Sequence, residues 1–167
     1  LPPAAIAYIK GDQLSAVPNK DFSSMRPEQL ASLKVQVMAR FMPGQVAELS
    51  PATIAAMQAS QMKKLIPAAI NGISATQLVV LPPQTLAAMK PAQVSVMRPP
   101  TMAAMTPPQL QLLPEKWVKY ITPSQVREFS PGLVSRMSLS QLRAMSGATA
   151  SSFTPAQQNA LTLAQNL

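Results

Sequence analysis

The chain contains no cysteine and no histidine. The first absence removes disulfides and thiolate metal sites, and the second removes the commonest general base and the commonest metal ligand. Ser-His-Asp and Cys-His sites, zinc signatures and the H-E-x-x-H motif are excluded together. Glycine is scarce, and its five residues are isolated, so no glycine-rich phosphate loop exists. One Trp, two Tyr and four Phe leave few of the aromatic platforms on which single-stranded nucleic acid stacks. The six acidic residues, Asp12, Asp21, Glu28, Glu48, Glu115 and Glu128, show no spacing that suggests a general acid/base pair.

No apolar run approaches the roughly eighteen residues of a membrane span, and no Asn-x-Ser/Thr sequon is present. One string, Ser60-Gln61-Met62-Lys63, matches the S-x-x-K of β-lactamase-type enzymes. Its companion motifs are missing, and a serine-rich chain produces such a match by chance. No catalytic, cofactor-binding or metal-ligating residue is therefore assigned, and the chain is not expected to be an enzyme. Leu1 in place of an initiator methionine points to a piece of a longer or processed chain.

Proline, by contrast, is abundant, with 18 residues. Cut every eight residues from Pro2, the chain reads PPAAIAYI, KGDQLSAV, PNKDFSSM, RPEQLASL and so on to TPAQQNAL. Twenty octads run from Pro2 to Leu161 without insertion, and a partial octad, TLAQNL, occupies 162–167. All 18 prolines fall at the first three positions, twelve of them at the second. The eighth position is large and apolar in every octad from Ile9 to Leu161. The fifth is so from Ile6 to Leu142, then decays to Ala150 and Gln158.

Positions five and eight, three apart, share one face of a helical turn. The opening positions supply its start: Ser or Thr as N-cap, Pro at the first helical residue, and Gln two residues further on to reach back to the cap. Thr106-Pro107-Pro108-Gln109 is expected to be such a capping box. The residue before proline is pushed out of the α region, so the same prolines end the preceding helix. Each octad is thus a helix of roughly six residues and a corner, too short to be stable alone. Stability has to come from stacking, as in a solenoid. The fold class is all-α: a single repeat domain over 1–167, a superhelical solenoid of short capped helices.

Glutamine holds the fourth position at Gln13, Gln29, Gln45, Gln61, Gln77, Gln93, Gln109, Gln125, Gln141 and Gln157, every other octad. This alternation suggests a sixteen-residue unit of two helices, one on each side of a flattened coil. Ten such layers at helix spacing would make a rod roughly 80–100 Å long. The glutamine column reads as a ladder of helix caps that also reaches the backbone of the next coil, or as the lining of a polar ligand groove.

The net charge is +8, which favours anionic partners. Every Lys and Arg lies at position one, three, six or seven, outside the five/eight stripe. Those rows are a solvated face, or they include a basic strip of Lys116, Lys119, Arg127, Arg136 and Arg143 near Trp117 and Tyr120 that holds a polyanion. Ten of the eleven methionines, all but Met42, occupy core positions. Val79, Val80, Val96 and Leu112 are candidates for a partner-binding or self-association patch.

The pattern [S/T]-P-x-Q-[L/V/I]-x-x-[M/L/F], in SPATIAAM, KPAQVSVM and TPPQLQLL, resembles the short-helix repeat of the mesothelin, otoancorin and stereocilin family of cell-surface proteins. It also resembles bacterial surface or secreted proteins with TPxQ-type octads. The resemblance implies a superhelical, non-enzymatic, extracellular or cell-surface protein that adheres to surfaces or glycoproteins. The absence of cysteine and sequon sets the chain apart from the animal members. The expected function is structural or adhesive, with a protein or glycan surface, or a second copy in a filament, as partner. The alternative is a secreted effector or a module binding lipid, glycan or, less favoured, nucleic acid through the basic strip.

Overall fold

The computed structural model describes residues 8–165, with side chains to residue 164. Among these are seventeen short α-helices, two 3-10 segments (Asn19–Ser24 and Val35–Arg40) and no strand. All but the last span four to six residues, and each lies within one octad.

Their starts follow the prolines. Pro51–Ala55, Pro83–Ala87, Pro107–Gln111 and Pro123–Arg127 all begin on proline, where the missing N–H would have had no intrahelical partner. Thr106, just before one of them, is extended at φ −89°, ψ 155°, as a residue preceding proline must be. The corner into KVQVMARF, an octad without proline, is the same, with Leu33 extended at φ −64°, ψ 134° and Lys34 at φ −61°, ψ 139°, although neither precedes a proline. Proline reinforces the corner but does not alone create it.

The fifth-position residues from Leu14 to Val134 and the eighth-position residues from Leu33 to Phe153 are buried in one continuous cluster. Leu142 and Leu161 are half-buried, while Ala150 and Gln158 lie on the surface, so the stripe ends where the sequence decays. A third core row accompanies these two. From Gln29 onward the fourth position is buried in every octad, including Val37, Thr53, Ala69, Trp117 and Leu133 between the glutamines. In a helix of four or five residues, positions four, five and eight form the inward arc, so from Gln29 onward a fourth-position side chain enters the interior, whereas Gln13 and Asp21 in the first described layer are exposed.

The stacking partners differ from the expected two-helix coil. Each short helix packs on the helix three places away: Ala59–Met62 on Pro83–Ala87, Pro91–Val94 on Glu115–Val118, Glu115–Val118 on Leu139–Ala144. Hydrogen bonds between successive layers span 28 and 31 residues. The interval of 28 is three and a half octads, so helices are staggered like bricks. The alternation of glutamine survives this stagger for a simple reason. A fourth-position side chain bonds to the octad four places earlier, and four is even, so glutamine octads meet glutamine octads. A sixteen-residue alternation is therefore compatible with a return that is not sixteen residues.

Gly72 marks how closely the layers approach. A Cβ there would run into the Pro43 carbonyl oxygen in the preceding layer, so only glycine fits. At the C-terminal end, the predicted partial octad starting at Thr162 is absent as a separate unit. One helix, Pro155–Gln165, runs through it, with Leu163 where a proline would have broken it and the Thr162 hydroxyl bonded back to the Gln158 carbonyl.

Candidate interaction surface

The glutamine column is the most regular polar feature. In all ten glutamines Oε1 accepts from the backbone N–H of the N-cap residue three positions earlier, at 2.6–3.0 Å. This cap is independent of the N-cap side chain, which is Lys10, Arg26, Met42, Gln58 or Lys90 in half of them. The reciprocal hydroxyl bond, from the glutamine N–H to the N-cap oxygen, forms at Ser74, Thr122, Ser138 and Thr154. At Thr106 it does not, so the capping box expected there is only half made.

The amide nitrogen reaches the previous layer. Gln45 Nε2 donates to the Leu14 and Val17 carbonyls at 3.0 and 3.1 Å, and Gln109 Nε2 to those of Leu78 and Leu81 at 2.7 and 2.8 Å. The same pair of bonds recurs at Gln61, Gln77, Gln93, Gln125, Gln141 and Gln157. The eighth-position carbonyl lies at the corner, where the helix has run out of N–H donors. In the intervening octads Thr53, Thr85, Thr101 and Thr149 serve the same carbonyl through Oγ1, at 2.6–3.1 Å and the same interval of 28 residues.

A buried amide with both donors and one acceptor engaged has little left to offer a ligand. Gln45 is 0% exposed and Gln109 1%, so the polar groove considered from the sequence does not form here. Trp117 takes a fourth position too. It is 1% exposed, and its indole N–H has no hydrogen-bond partner. The expectation that it flanks a surface strip is therefore corrected: Trp117 faces the interior, while Tyr120 is exposed.

The five residues of the expected basic strip are all exposed, but the fold divides them. Lys116 and Lys119 belong to Glu115–Val118 and the residue after it, and Arg143 to Leu139–Ala144, which packs on that helix. Arg127 lies on Pro123–Arg127, packed on Pro99–Met102 and Gly147–Ala150, and Arg136 follows Pro131–Val134, packed on Pro155–Gln165. The apolar candidates divide likewise. Val79, Val80 and Leu112 are exposed, and Gln109, on the helix next to Leu112, bonds to the carbonyls that bracket Val79 and Val80. Val96 is half-buried against the core and does not join them.

Ser60 and Lys63 are exposed on either side of the fully buried Met62. Two clefts lie towards the chain ends. One, of about 440 Å³, is lined by Ser135, Met137, Leu139, Leu142, Leu161 and Ala164. The other, of about 390 Å³, includes Ile9, Leu14, Phe22 and Met25. Each exposes core positions of a terminal layer. Among the described residues, no helix is long and apolar enough to cross a membrane. Scanned against family models and curated proteins, the chain matches none.

Proposed function

We propose that this chain is a non-enzymatic, extracellular or cell-surface repeat protein: a superhelical solenoid that meets its partners along an extended outer surface. One observation carries the reading. Side chains of the glutamine and threonine columns bond to main-chain carbonyls 28 residues earlier, which ties each layer to the last and leaves the chemistry of the outward positions unconstrained. At about 28 residues per circuit, the chain makes between five and six layers, roughly 45–55 Å at helix spacing. Repeat proteins of this kind bind through extended surfaces. The likeness of the octads to the mesothelin, otoancorin and stereocilin repeat and to bacterial TPxQ octads supports an adhesive or structural role.

Two experiments test the two halves of this reading. Because the chain has no cysteine, engineered pairs report without background. A thiol cross-linker of about 10 Å, the spacing of packed helices, should join Lys63→Cys to Lys90→Cys and fail to join Lys63→Cys to Val79→Cys. The opposite pattern would refute the coil. For function, the chain is immobilised on an array of glycans and extracellular proteins, and then shortened by one and by two full circuits. Binding should fall steeply with each circuit lost, as multivalent contact does. Full binding by the shortened chain, or its abolition by one point substitution, would mean a localised site.

A further inference from the structure

The return interval arranges the cations in a way that their sequence positions conceal. Lys34, Lys63, Lys90, Lys116 and Arg143 recur along the chain at close to the interval of 28 residues that separates bonded groups in successive layers. Lys64 and Lys119 stand beside two of them. Two observed contacts show that residues so separated meet in space. Lys34 Nζ lies 5.4 Å from the centroid of the Tyr8 ring, nearly one circuit earlier. A Cβ on Gly11 would meet the side chain of Arg40, about one circuit later.

The linkage can be followed layer by layer. Gln61 bonds to the carbonyl of Leu33, the residue before Lys34, and its helix leads straight into Lys63 and Lys64. Gln93 bonds to the carbonyls of Met62 and Leu65, one on each side of that lysine pair, and its Oε1 holds the backbone N–H of Lys90. The helix opened by Lys90 packs on Glu115–Val118, which carries Lys116, and this in turn packs on Leu139–Ala144, which carries Arg143. All seven cations are exposed, and among the described residues none is held in an ion pair.

We propose that Lys34, Lys63, Lys64, Lys90, Lys116, Lys119 and Arg143 form one basic row along the stack that binds a linear acidic polysaccharide laid parallel to it. The inference rests on the superhelical reading above and names a partner class for it. Six of the seven are lysines, compact point charges that attract carboxylate or sulfate without demanding the planar fork that arginine gives phosphate. Spaced at about 8–10 Å, the distance between packed helices, they suit a flexible chain that presents acidic groups at intervals. A single-stranded nucleic acid finds few stacking platforms here, since the aromatics beside the row are only Tyr8, one face of which meets Lys34, and Tyr120. A membrane surface finds only single apolar anchors here, since Ile66, Tyr120 and Leu139 are exposed one by one beside row cations, while the exposed Val79 and Val80 lie about half a circuit from Lys63 and Lys64.

The test compares two triple charge reversals of the 167-residue chain, equal in net charge. Lys63→Glu/Lys64→Glu/Lys90→Glu cuts the row; Lys20→Glu/Arg26→Glu/Arg136→Glu alters cations off it. On surfaces coated with polygalacturonate or heparin at low salt, the first should lose about 100-fold in affinity and the second no more than about 3-fold. Circular dichroism should show both folded. Affinity should climb with oligosaccharide length and level off where the sugar spans the row, roughly 30–40 Å from Lys34 to Arg143 at helix spacing. Equal losses in the two triples would show an effect of net charge alone and overturn the row. Tighter binding to duplex DNA or to phosphatidylserine vesicles than to either polysaccharide would overturn the partner class. The thiol cross-links report on the coil separately, so failure of the row and failure of the superhelix are told apart.

Discussion

Replacing Gln109 by Leu isolates the contribution of one rung. The side chain keeps its volume approximately and stays in an apolar interior, so little is lost in packing. Three hydrogen bonds go: one from the Thr106 N–H and two to the carbonyls of Leu78 and Leu81. The Leu78 carbonyl still accepts from the Leu81 N–H at 3.1 Å, so two groups are stranded, the Thr106 N–H and the corner carbonyl of Leu81. A buried polar group without a partner costs about 1–3 kcal/mol; the buried Leu81 carbonyl carries that cost and the part-buried Thr106 N–H a smaller one, so the total is about 1–4 kcal/mol after the greater hydrophobicity of leucine. The control is Gln111→Leu, on the same short helix but exposed, where a change within about 0.5 kcal/mol is expected. Urea titration followed by far-UV circular dichroism gives both values, and an unchanged m-value licenses their comparison. Amide exchange adds a spatial reading: protection should drop first in the layers holding Leu81 and Thr106. Equal stability of the two variants would refute the claim that the ladder joins the layers.

Three further outcomes follow from the same bonds and contacts. Thr85→Val should cost about 1–2 kcal/mol because Thr85 Oγ1 serves the Met57 carbonyl. Thr101→Val should cost less, since Arg98 Nη2 also donates to the Ile73 carbonyl, at 3.2 Å; a larger loss at Thr101 in the same titration would contradict the assignment. Gly72→Ala should destabilise by about 1–3 kcal/mol because its Cβ meets the Pro43 backbone. Gly132→Ala, with nothing within 4 Å of its Cβ, should be neutral or stabilise by up to about 1 kcal/mol, and thermal melts that rank the two the other way would sink the close approach. Trp117→Phe should lie within about 1 kcal/mol of the wild type because it removes an unpaired indole N–H, while Trp117→Ala should lose about 3–5 kcal/mol to a cavity. A Phe variant as damaged as the Ala variant would reveal a partner for that N–H.

What the octads made legible was local. Leu110 and Leu113 are in the core because three-residue spacing within one turn leaves no other inward face, and Pro107 opens a helix because proline at its first residue costs no hydrogen bond. Gln109 was readable as a cap and as a link between layers. Which layer it reaches was not readable, since that depends on corner angles summed over three or four octads, and no residue pair encodes the sum. The signal overlooked was chemical: Val37, Thr53, Ala69, Trp117 and Leu133 are apolar or able to bond inward, and after Asp21 the fourth position carries none of the charges found at positions six and seven. Treating the fourth position as a core row would have placed Trp117 inside. The basic strip and the apolar patch were grouped by nearness in sequence, whereas exposure on a stack groups residues by circuit; the helices carrying Lys116 and Arg143 pack together, and Arg127 does not join them.

The mismatch between a bonding pattern that alternates every sixteen residues and a circuit of about 28 has a consequence for how such a chain can change length. Gaining or losing a pair of octads leaves every glutamine opposite the carbonyls it needs, so the stack stays intact. The same event rotates everything downstream by a little over half a circuit relative to everything upstream. A surface row that was continuous would become two rows facing nearly opposite ways, with no loss of stability to signal it. Length variants of this protein would therefore be gear changes: alike in melting behaviour and different in which outward residues stand in line.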